Sequence, residues 1–362
     1  MLGSRLKLAR AAAGLSLRDL EAKISKSVTA QAIGMYERDE TTPRSDVLIT
    51  LADALGVSVS WLSSSEQLTL EKVDFRKRKL TSAKDEATVL ATVSDHLEKY
   101  LEVEDVLGLD SRWWRQPKAP QYKIHVGIYD VEAAAERLRQ EWELGLDPLP
   151  ALPEFLEEAG IKVLSSDLPE KVSGLSCTAT QKSAAGPLHS IVVNSSHPGE
   201  RQRFTLCHEL GHLILNVSQH LDEEKVADRF AGAFLMPRET VEKEVGTKRR
   251  ELSLGELLSL KKLFGVSAAA MLYRCKQLEI VSEDVYKRTY SNFALRGWTR
   301  PPYEPDPINA EPSRRFERLC FRGVAEGALS HSKAAELLGR SVEEFLNEME
   351  GTNTNVPGMP FA

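Results

Sequence analysis

The sequence predicts a mainly α protein with a small β-sheet (an α+β fold): an all-helical head, a mixed domain and a helical C-terminal region. Apolar residues recur at helical spacing through residues 1–65 and again after residue 198. Candidate strands are the short apolar runs 161–164 and 190–193. With 362 residues, the chain is long enough for two or three domains of about 150 residues each.

Residues 1–65 predict five short helices, because apolar positions recur every three or four residues. Turn-forming residues separate these helices: Gly14, the stretch Thr41-Thr42-Pro43, and Gly56. Residues 66–125 predict a charged, mostly helical segment that serves as linker or dimerisation element, with 85–107 as the candidate contact helix.

A second compact unit is predicted over residues 126–290. Its expected helices are 131–142, 152–159, one that ends near 215, and 224–236, with one or two more after residue 250. Residues 291–362 predict a proline-rich segment and then helices near 314–326 and 330–338, and their role stays open.

The overall charge gives no sign of nucleic-acid or anionic-membrane binding, because 47 basic and 53 acidic residues leave a net charge of −6. Any DNA binding must therefore depend on a local surface. No apolar run approaches the roughly 18 residues that span a bilayer, and the N-terminal pattern is amphipathic rather than that of a signal peptide.

The cysteine pattern favours a reducing environment. The four cysteines are scattered and form no CxxC pair, which excludes a zinc ribbon and argues against a disulfide framework. We therefore expect a cytoplasmic protein.

The pentapeptide His208-Glu209-Leu210-Gly211-His212 is the sharpest chemical signal in the sequence. Residues four apart lie on one face of a helix, so both imidazoles can bind one zinc ion. Glu209 can then reach a water molecule as general base. The alternative is a surface histidine pair on a structural helix. It is disfavoured because the flanking residues are apolar, and buried imidazoles need a partner such as a metal.

Two carboxylates follow at the spacing of one helical turn. Glu224 can be the third ligand, and Asp228 can accept a hydrogen bond from the outer N–H of a ligand histidine. Three protein ligands leave a coordination position open, as in catalytic zinc sites. A metzincin is excluded, because Leu215 and Ser218 occupy the positions of its glycine and third histidine. Cys207 is expected to be a buried, inert thiol.

The stretches Arg201–Asn216 and Glu224–Pro237 resemble the ImmA/IrrE family of gluzincin-type metallopeptidases. The resemblance extends over about residues 128–290. It implies a zinc endopeptidase with His208, His212 and Glu224 as metal ligands and Glu209 as base. The family usually has alanine before the first histidine, where this chain has Cys207.

Two features of this domain leave alternatives open. The strand Ser190–Asn194 could pair with an extended peptide substrate or could be an interior strand of the sheet. The group that stabilises the oxyanion is not indicated by any pattern, and the candidates are His189, His197, His220 and Tyr273.

Within the head, residues 16–38 have the pattern of a helix–turn–helix. Thr29 is a plausible N-cap of the second helix, and Gln31 lies in its first turn, where side chains reach base edges. Three basic residues are candidates for phosphate contacts: Lys26, Arg38 and Arg44.

The head resembles the XRE (Cro/C1-type repressor) family over residues 1–65 through Tyr36-Glu37-Arg38, Thr42-Pro43 and the closing stretch from Leu51 to Leu62. The turn Ile24–Val28 has extra residues compared with the usual form. Because the head carries eight basic and seven acidic residues, a helical protein-interaction module is the alternative to a DNA reader.

Together the two resemblances imply a DNA-binding regulator fused to a zinc peptidase that cleaves a repressor-type protein, in trans or in itself, to control a phage, mobile-element or stress regulon. The expected partners are a double-stranded DNA operator, a protein substrate and a second copy of the chain, since such heads read paired half-sites. The alternative is a non-proteolytic repressor or antitoxin of a toxin–antitoxin pair, with a cognate toxin as partner and the zinc fold as a structural or sensing platform.

Overall fold

A computed structural model of the chain describes residues 2–25, 27–63, 68–71, 83–110, 114, 122–125, 127–180, 186–300 and 303–351. Within these residues the protein is mainly helical with a small mixed sheet, so the predicted α+β class is confirmed. No helix in the described ranges has both the length and the apolar character needed to cross a bilayer.

The head folds as five helices: α1 (Leu2–Ala12), α2 (Leu17–Lys23), α3 (Ala30–Glu37), α4 (Ser45–Leu55) and α5 (Val59–Ser63). Ser16 begins α2 with a capping box, in which Ser16 and Asp19 each accept a hydrogen bond from the other's backbone N–H. Gly56 ends α4 at a φ of 68°, which glycine adopts without strain from a Cβ. The core of the head consists of buried apolar side chains: Leu6, Leu20, Ile33, Leu51 and Leu62.

Three elements follow the head: β1 (Thr69–Glu71), α6 (Ala83–Val106) and β2 (Tyr122–Ile124). The larger domain then begins with α7 (Ile128–Glu141), α8 (Leu152–Glu158), β3 (Lys162–Ser166), β4 (Gly174–Thr180), β5 (Leu188–Asn194), α9 (Gly199–Ile214), β6 (Leu215–Val217) and α10 (Glu223–Leu235). The helices and strands predicted for this stretch lie within a few residues of these bounds, whereas β4 and β6 were not predicted.

The remaining described elements are all helices: α11 (Arg238–Val245), α12 (Leu254–Phe264), α13 (Ala268–Gln277), α14 (Glu283–Leu295), α15 (Arg315–Ala325), α16 (His331–Leu338) and α17 (Val342–Met349). Serine caps begin most of these helices, and in each case the side-chain oxygen accepts a backbone N–H of the first turn.

The main sheet has four strands in the order β1-β4-β5-β3. β5 pairs parallel to β3 and antiparallel to β4, and β1 pairs antiparallel to the outer edge of β4. Both edges of β5 are therefore paired within the chain, which decides the open question for this strand in favour of an interior strand. β2 and β6 form a separate parallel pair.

The two faces of the sheet pack against different helices. Ile191 and Val193 of β5 belong to the core that also contains α7, α9 and α10. Val192 points to the opposite face and belongs to a second core with α6 and α15–α17. The C-terminal helices thus cover the side of the sheet that faces away from α9.

Helix α6 lies between the head and the sheet. Every side chain from Val89 to Leu101 is buried or half-buried. Toward the head, Glu98 pairs with the buried Arg5 of α1 at 2.6 Å. This stretch of α6 is therefore covered within a single chain, and the homodimer stays a prediction.

The N-terminal end of α9 is held by an irregular segment from the C-terminal region. The backbone N–H of Gly199 donates to the Ile308 carbonyl at 2.8 Å, and Arg203 pairs with Glu311 at 2.6 Å. A Cβ on Gly199 would lie 2.2 Å from the Asn309 carbonyl oxygen, so this close approach requires glycine. The segment fixes the helix that carries His208–His212, which we call the HExxH motif.

A buried charge cluster joins three helices of the larger domain. Glu132 of α7 accepts two hydrogen bonds from Arg274 of α13, at 2.6 and 2.9 Å, and pairs with Arg229 of α10 at 2.5 Å. Burial alone would raise the pKa of Glu132, but the two guanidinium groups outweigh it and hold the pKa below its usual value. Glu132 therefore stays ionised at neutral pH.

We expect Glu132→Ala to lower the free energy of unfolding by about 3–5 kcal/mol, because it leaves two buried guanidinium groups without their carboxylate. Chemical denaturation of the full chain measures the change. Glu136→Ala, at an exposed position one turn further along α7, is the matched control and should have little effect. Equal losses for the two variants would contradict the assignment.

Candidate functional site

Helices α9 and α10 approach each other closely at the HExxH motif. Gly211 lies between the two histidines, and a Cβ at this position would be 3.3 Å from the Phe230 ring and 3.6 Å from the Ala227 Cβ. The missing side chain lets the backbones of the two helices come together. Glu224, in the first turn of α10, consequently faces the histidines of α9.

The structure brings the three predicted metal ligands together. His208 Nε2 lies 3.1 Å from His212 Nε2. Each of these nitrogens lies 3.4 Å from a carboxylate oxygen of Glu224. All three ligand atoms lie within 4.8 Å of one another, and they form the one group of this kind found among the described residues.

These separations fit a tetrahedral zinc ion. Zinc binds imidazole nitrogen and carboxylate oxygen at about 2.0–2.2 Å, so two ligand atoms on one tetrahedral ion lie about 3.3 Å apart. The three observed separations are close to this value. Two imidazole nitrogens that face each other at 3.1 Å also need a shared proton or a cation between their lone pairs. The donor set therefore suits zinc in both geometry and chemistry.

The outer nitrogens of both imidazoles are oriented by carboxylates. His208 Nδ1 donates to Asp228 at 2.8 Å, the contact that the sequence predicts for a ligand histidine. His212 Nδ1 donates to Glu223 at 3.3 Å. Both bonds leave Nε2 directed toward Glu224, an arrangement common around metal-bound histidines. Glu223 was not predicted as part of the site, although its position directly before Glu224 in the first turn of α10 could have suggested it.

Glu209 is the most enclosed of the three polar side chains of the motif, with 2% of its surface exposed. One of its carboxylate oxygens, Oε2, accepts a hydrogen bond of 3.0 Å from the Ser176 hydroxyl of β4. Glu209 therefore contacts the sheet, whereas Glu224 is half-exposed on the solvent side of the histidines.

The ionisable side chains of the site shift one another's pKa values. Burial alone would lower the pKa of His208, but hydrogen bonds with Asp228 and Glu224 raise it to about 9. The pKa of His212 is raised against its burial by the bond with Glu224. Hydrogen bonds from His208 and His212 hold the pKa of Glu224 far below its usual value. Without a metal, the cluster thus holds protons at neutral pH.

Metal uptake should therefore depend on pH. A metal must displace the proton from His208, so we expect zinc affinity to rise from pH 6.5 toward pH 9 and then to level off. Titration calorimetry in two buffers of different ionisation enthalpy would measure the protons released on binding. Binding that is independent of pH and releases no protons would contradict this coupling.

The other candidate residues of the sequence analysis lie in different surroundings. Cys207 is fully buried, and burial raises the pKa of its thiol to about 12, consistent with an inert residue. The Nε2 of His220 lies 3.1 Å from the His125 carbonyl oxygen. His189 packs against Trp114 with the two rings tilted by 51° and their centroids 3.9 Å apart, and Tyr273 packs against Tyr286.

The head places its predicted DNA contacts around α3. Thr29 caps α3 by accepting a hydrogen bond from the Ala32 N–H, and Gln31 is exposed in the first turn. Arg38 pairs with Glu40 and Arg44 with Asp46, so each arginine has a carboxylate neighbour on the surface. Lys26 lies outside the described residues.

Two regions of the chain match known family models. Residues 156–276 match a peptidase family model described as the IrrE N-terminal-like domain. Residues 6–62 match a helix-turn-helix family model. No curated protein shows significant similarity to the chain. The two matches agree with the predicted architecture, a helix-turn-helix head followed by a domain similar to the IrrE peptidase family.

Proposed function

We propose that the chain is a transcriptional regulator whose IrrE-like domain is a zinc-dependent endopeptidase with one specific protein substrate. The observation that carries this proposal is the convergence of His208, His212 and Glu224 at zinc-binding distances, with Glu209 beside them. A structural metal site has no use for a glutamate in that position. The HExxH pattern and the match to a peptidase family support the same function.

The number of donors also supports catalysis. Three protein ligands are typical of catalytic zinc sites, whereas structural zinc sites have four. Among the described residues, no further histidine, cysteine or carboxylate oxygen joins the group of His208, His212 and Glu224. The exposed side of Glu224 would leave room for a peptide to approach.

Each residue has a role in peptide hydrolysis under this proposal. A zinc ion held by the three ligands supplies Lewis-acid polarisation of the scissile carbonyl and makes a water molecule more acidic. Glu209 takes the proton from the attacking water and passes it to the leaving amine. Asp228 and Glu223 keep the imidazoles in the tautomer that presents Nε2.

The head would bring this chemistry to DNA. We infer that Gln31 reads a base edge of a double-stranded operator and that Arg38 and Arg44 contact phosphates, with Lys26 as a further candidate. Helix α3 itself contains no lysine or arginine. A pair of heads on two half-sites would compensate for this weak charge, which supports a homodimer on DNA.

The substrate class follows from the resemblance to the ImmA/IrrE family. We propose a repressor-type protein, cut in trans or within the chain itself. The direct test incubates the zinc-loaded full chain with candidate XRE-type regulators, including any neighbouring regulator found in its genome, and follows fragments by mass spectrometry. Cleavage should occur with zinc, stop with a chelator and return when zinc is restored.

The same experiment decides between the two functions that the sequence allows. If zinc is bound but neither the neighbouring regulator nor the chain is cut, the endopeptidase proposal fails. Retained operator binding in that case would favour the non-proteolytic repressor or antitoxin, and a co-purifying toxin would identify its partner.

A further inference from the structure

Strand β4 runs alongside α9, and successive residues on one face of the strand contact successive turns of the helix. A Cβ on Gly174 would lie 2.5 Å from the Thr205 methyl group, and two residues further along the strand Ser176 contacts Glu209. Two residues of a strand advance about 6.6 Å, and four residues of a helix advance about 6 Å. The strand and the helix therefore run in the same direction, and alternate β4 side chains face the motif.

The contact between Ser176 and Glu209 is well defined. An ionised carboxylate only accepts hydrogen bonds, so the Ser176 hydroxyl must donate to Oε2 across the 3.0 Å separation. Glu209 is almost fully enclosed, and Ser176 is half-buried. Bonds of this kind, from a neutral donor to a buried charge, are among the stronger side-chain interactions.

We propose that Ser176 is a positioning residue for Glu209, an inference that rests on the proposed role of Glu209 as general base. The donated hydrogen bond fixes the rotation of the carboxylate plane. Glu209 then keeps one orientation toward the water and the scissile bond without a search among rotamers at each turnover. Ser176 touches neither substrate nor metal and acts only through Glu209.

The test compares Ser176→Ala, Ser176→Thr and Ser190→Ala in the zinc-loaded full chain. Ser190 is a matched control, because it is a buried serine on the adjacent strand β5 whose hydroxyl donates to the Lys162 carbonyl. With an internally quenched peptide that spans the observed cut, Ser176→Ala should lower kcat about 10- to 100-fold with KM unchanged. Ser176→Thr keeps a hydroxyl and should restore most of kcat, and Ser190→Ala should match the unaltered chain.

A second readout does not depend on turnover. The infrared carboxylate stretch of Glu209, assigned by subtracting the spectrum of the Glu209→Gln protein, should shift in Ser176→Ala and stay in place in Ser190→Ala. Zinc affinity should be the same in all three variants, because Ser176 is not a ligand.

The outcomes separate this inference from the proposed function. If the unaltered chain cuts its substrate and Ser176→Ala has the same kcat or the same infrared band, the positioning role is wrong and the endopeptidase stands. A loss of kcat that Ser176→Thr does not restore also overturns it. If the unaltered chain cuts nothing, the proposed function and the positioning role fail together, whatever the infrared spectrum shows.

Discussion

Glu209→Gln should reduce cleavage by about 10²–10⁴-fold, the usual contribution of a general base, while the protein still binds zinc. The amide has nearly the same shape as the carboxylate, and its oxygen can still accept a hydrogen bond from the Ser176 hydroxyl. It cannot accept a proton from water at neutral pH. The measurement is the rate of fragment formation at equal zinc content.

Glu223→Gln provides the comparison for this variant. Glu223 is also a glutamate of the centre, but it contacts the outer nitrogen of His212, Nδ1, rather than the ligand nitrogen Nε2. We expect this substitution to weaken zinc binding. Once saturated with zinc, the Glu223→Gln protein should cleave its substrate at a near-normal rate. If Glu209→Gln cleaves as fast as the unaltered chain, Glu209 is not the base and the mechanism proposed here is wrong.

His208→Ala should reduce bound zinc from about one ion per chain to almost none. The variant removes a ligand nitrogen and leaves His212 and Glu224, and two ligands do not hold zinc against competition from water and buffer. Asp228→Asn should have a smaller effect, about 10- to 100-fold in affinity, since Asp228 only orients the imidazole of His208. Elemental analysis and competition with a zinc-binding dye would measure both effects.

His220→Ala is the matched control for His208→Ala. The His220 imidazole contacts the His125 carbonyl oxygen and does not join the ligand group. Its replacement should leave the metal content unchanged. Equal zinc in the His208→Ala and His220→Ala proteins would remove the metal site from consideration.

The sequence predicted those parts of the site that depend on spacing within one or two helices. His208, Glu209 and His212 share a turn of α9, and the interval to Glu224 and Asp228 indicated a second helix. Such local periodicity can be recognised in a single sequence. The contact between Ser176 and Glu209 could not, because it joins residues 33 positions apart.

Strand β4 shows why that contact was missed. Its sequence, Gly174-Leu-Ser-Cys-Thr-Ala-Thr180, contains one large apolar residue and no β-branched apolar residue, so it gives a weak strand signal. What makes it a strand is pairing with β5 from Gly174 to Ala179 and with β1 from Thr178 to Thr180. Its small side chains suit the close approach of α9, which only the folded chain reveals.

The surroundings of α6 were equally inaccessible to sequence reasoning. Its many charged residues suggested a helix of a linker or dimerisation segment. In the structure Glu104 is fully buried between Lys162 of β3 and Arg315 of α15. The charge of Glu104 is compensated by residues that are distant in sequence. Such partners cannot be predicted from the local sequence pattern of α6.

The covered position of α6 has a consequence for action on DNA. Helix α6 packs against α1 on one side and against the sheet on the other. The head and the candidate metal site are therefore connected through packed structure and not only through a flexible linker. If the proposed endopeptidase activity is correct, a chain bound at an operator would hold its active site close to that DNA. Repressors bound to nearby sites would then meet it at a high effective concentration, whereas the same proteins free in solution would escape it.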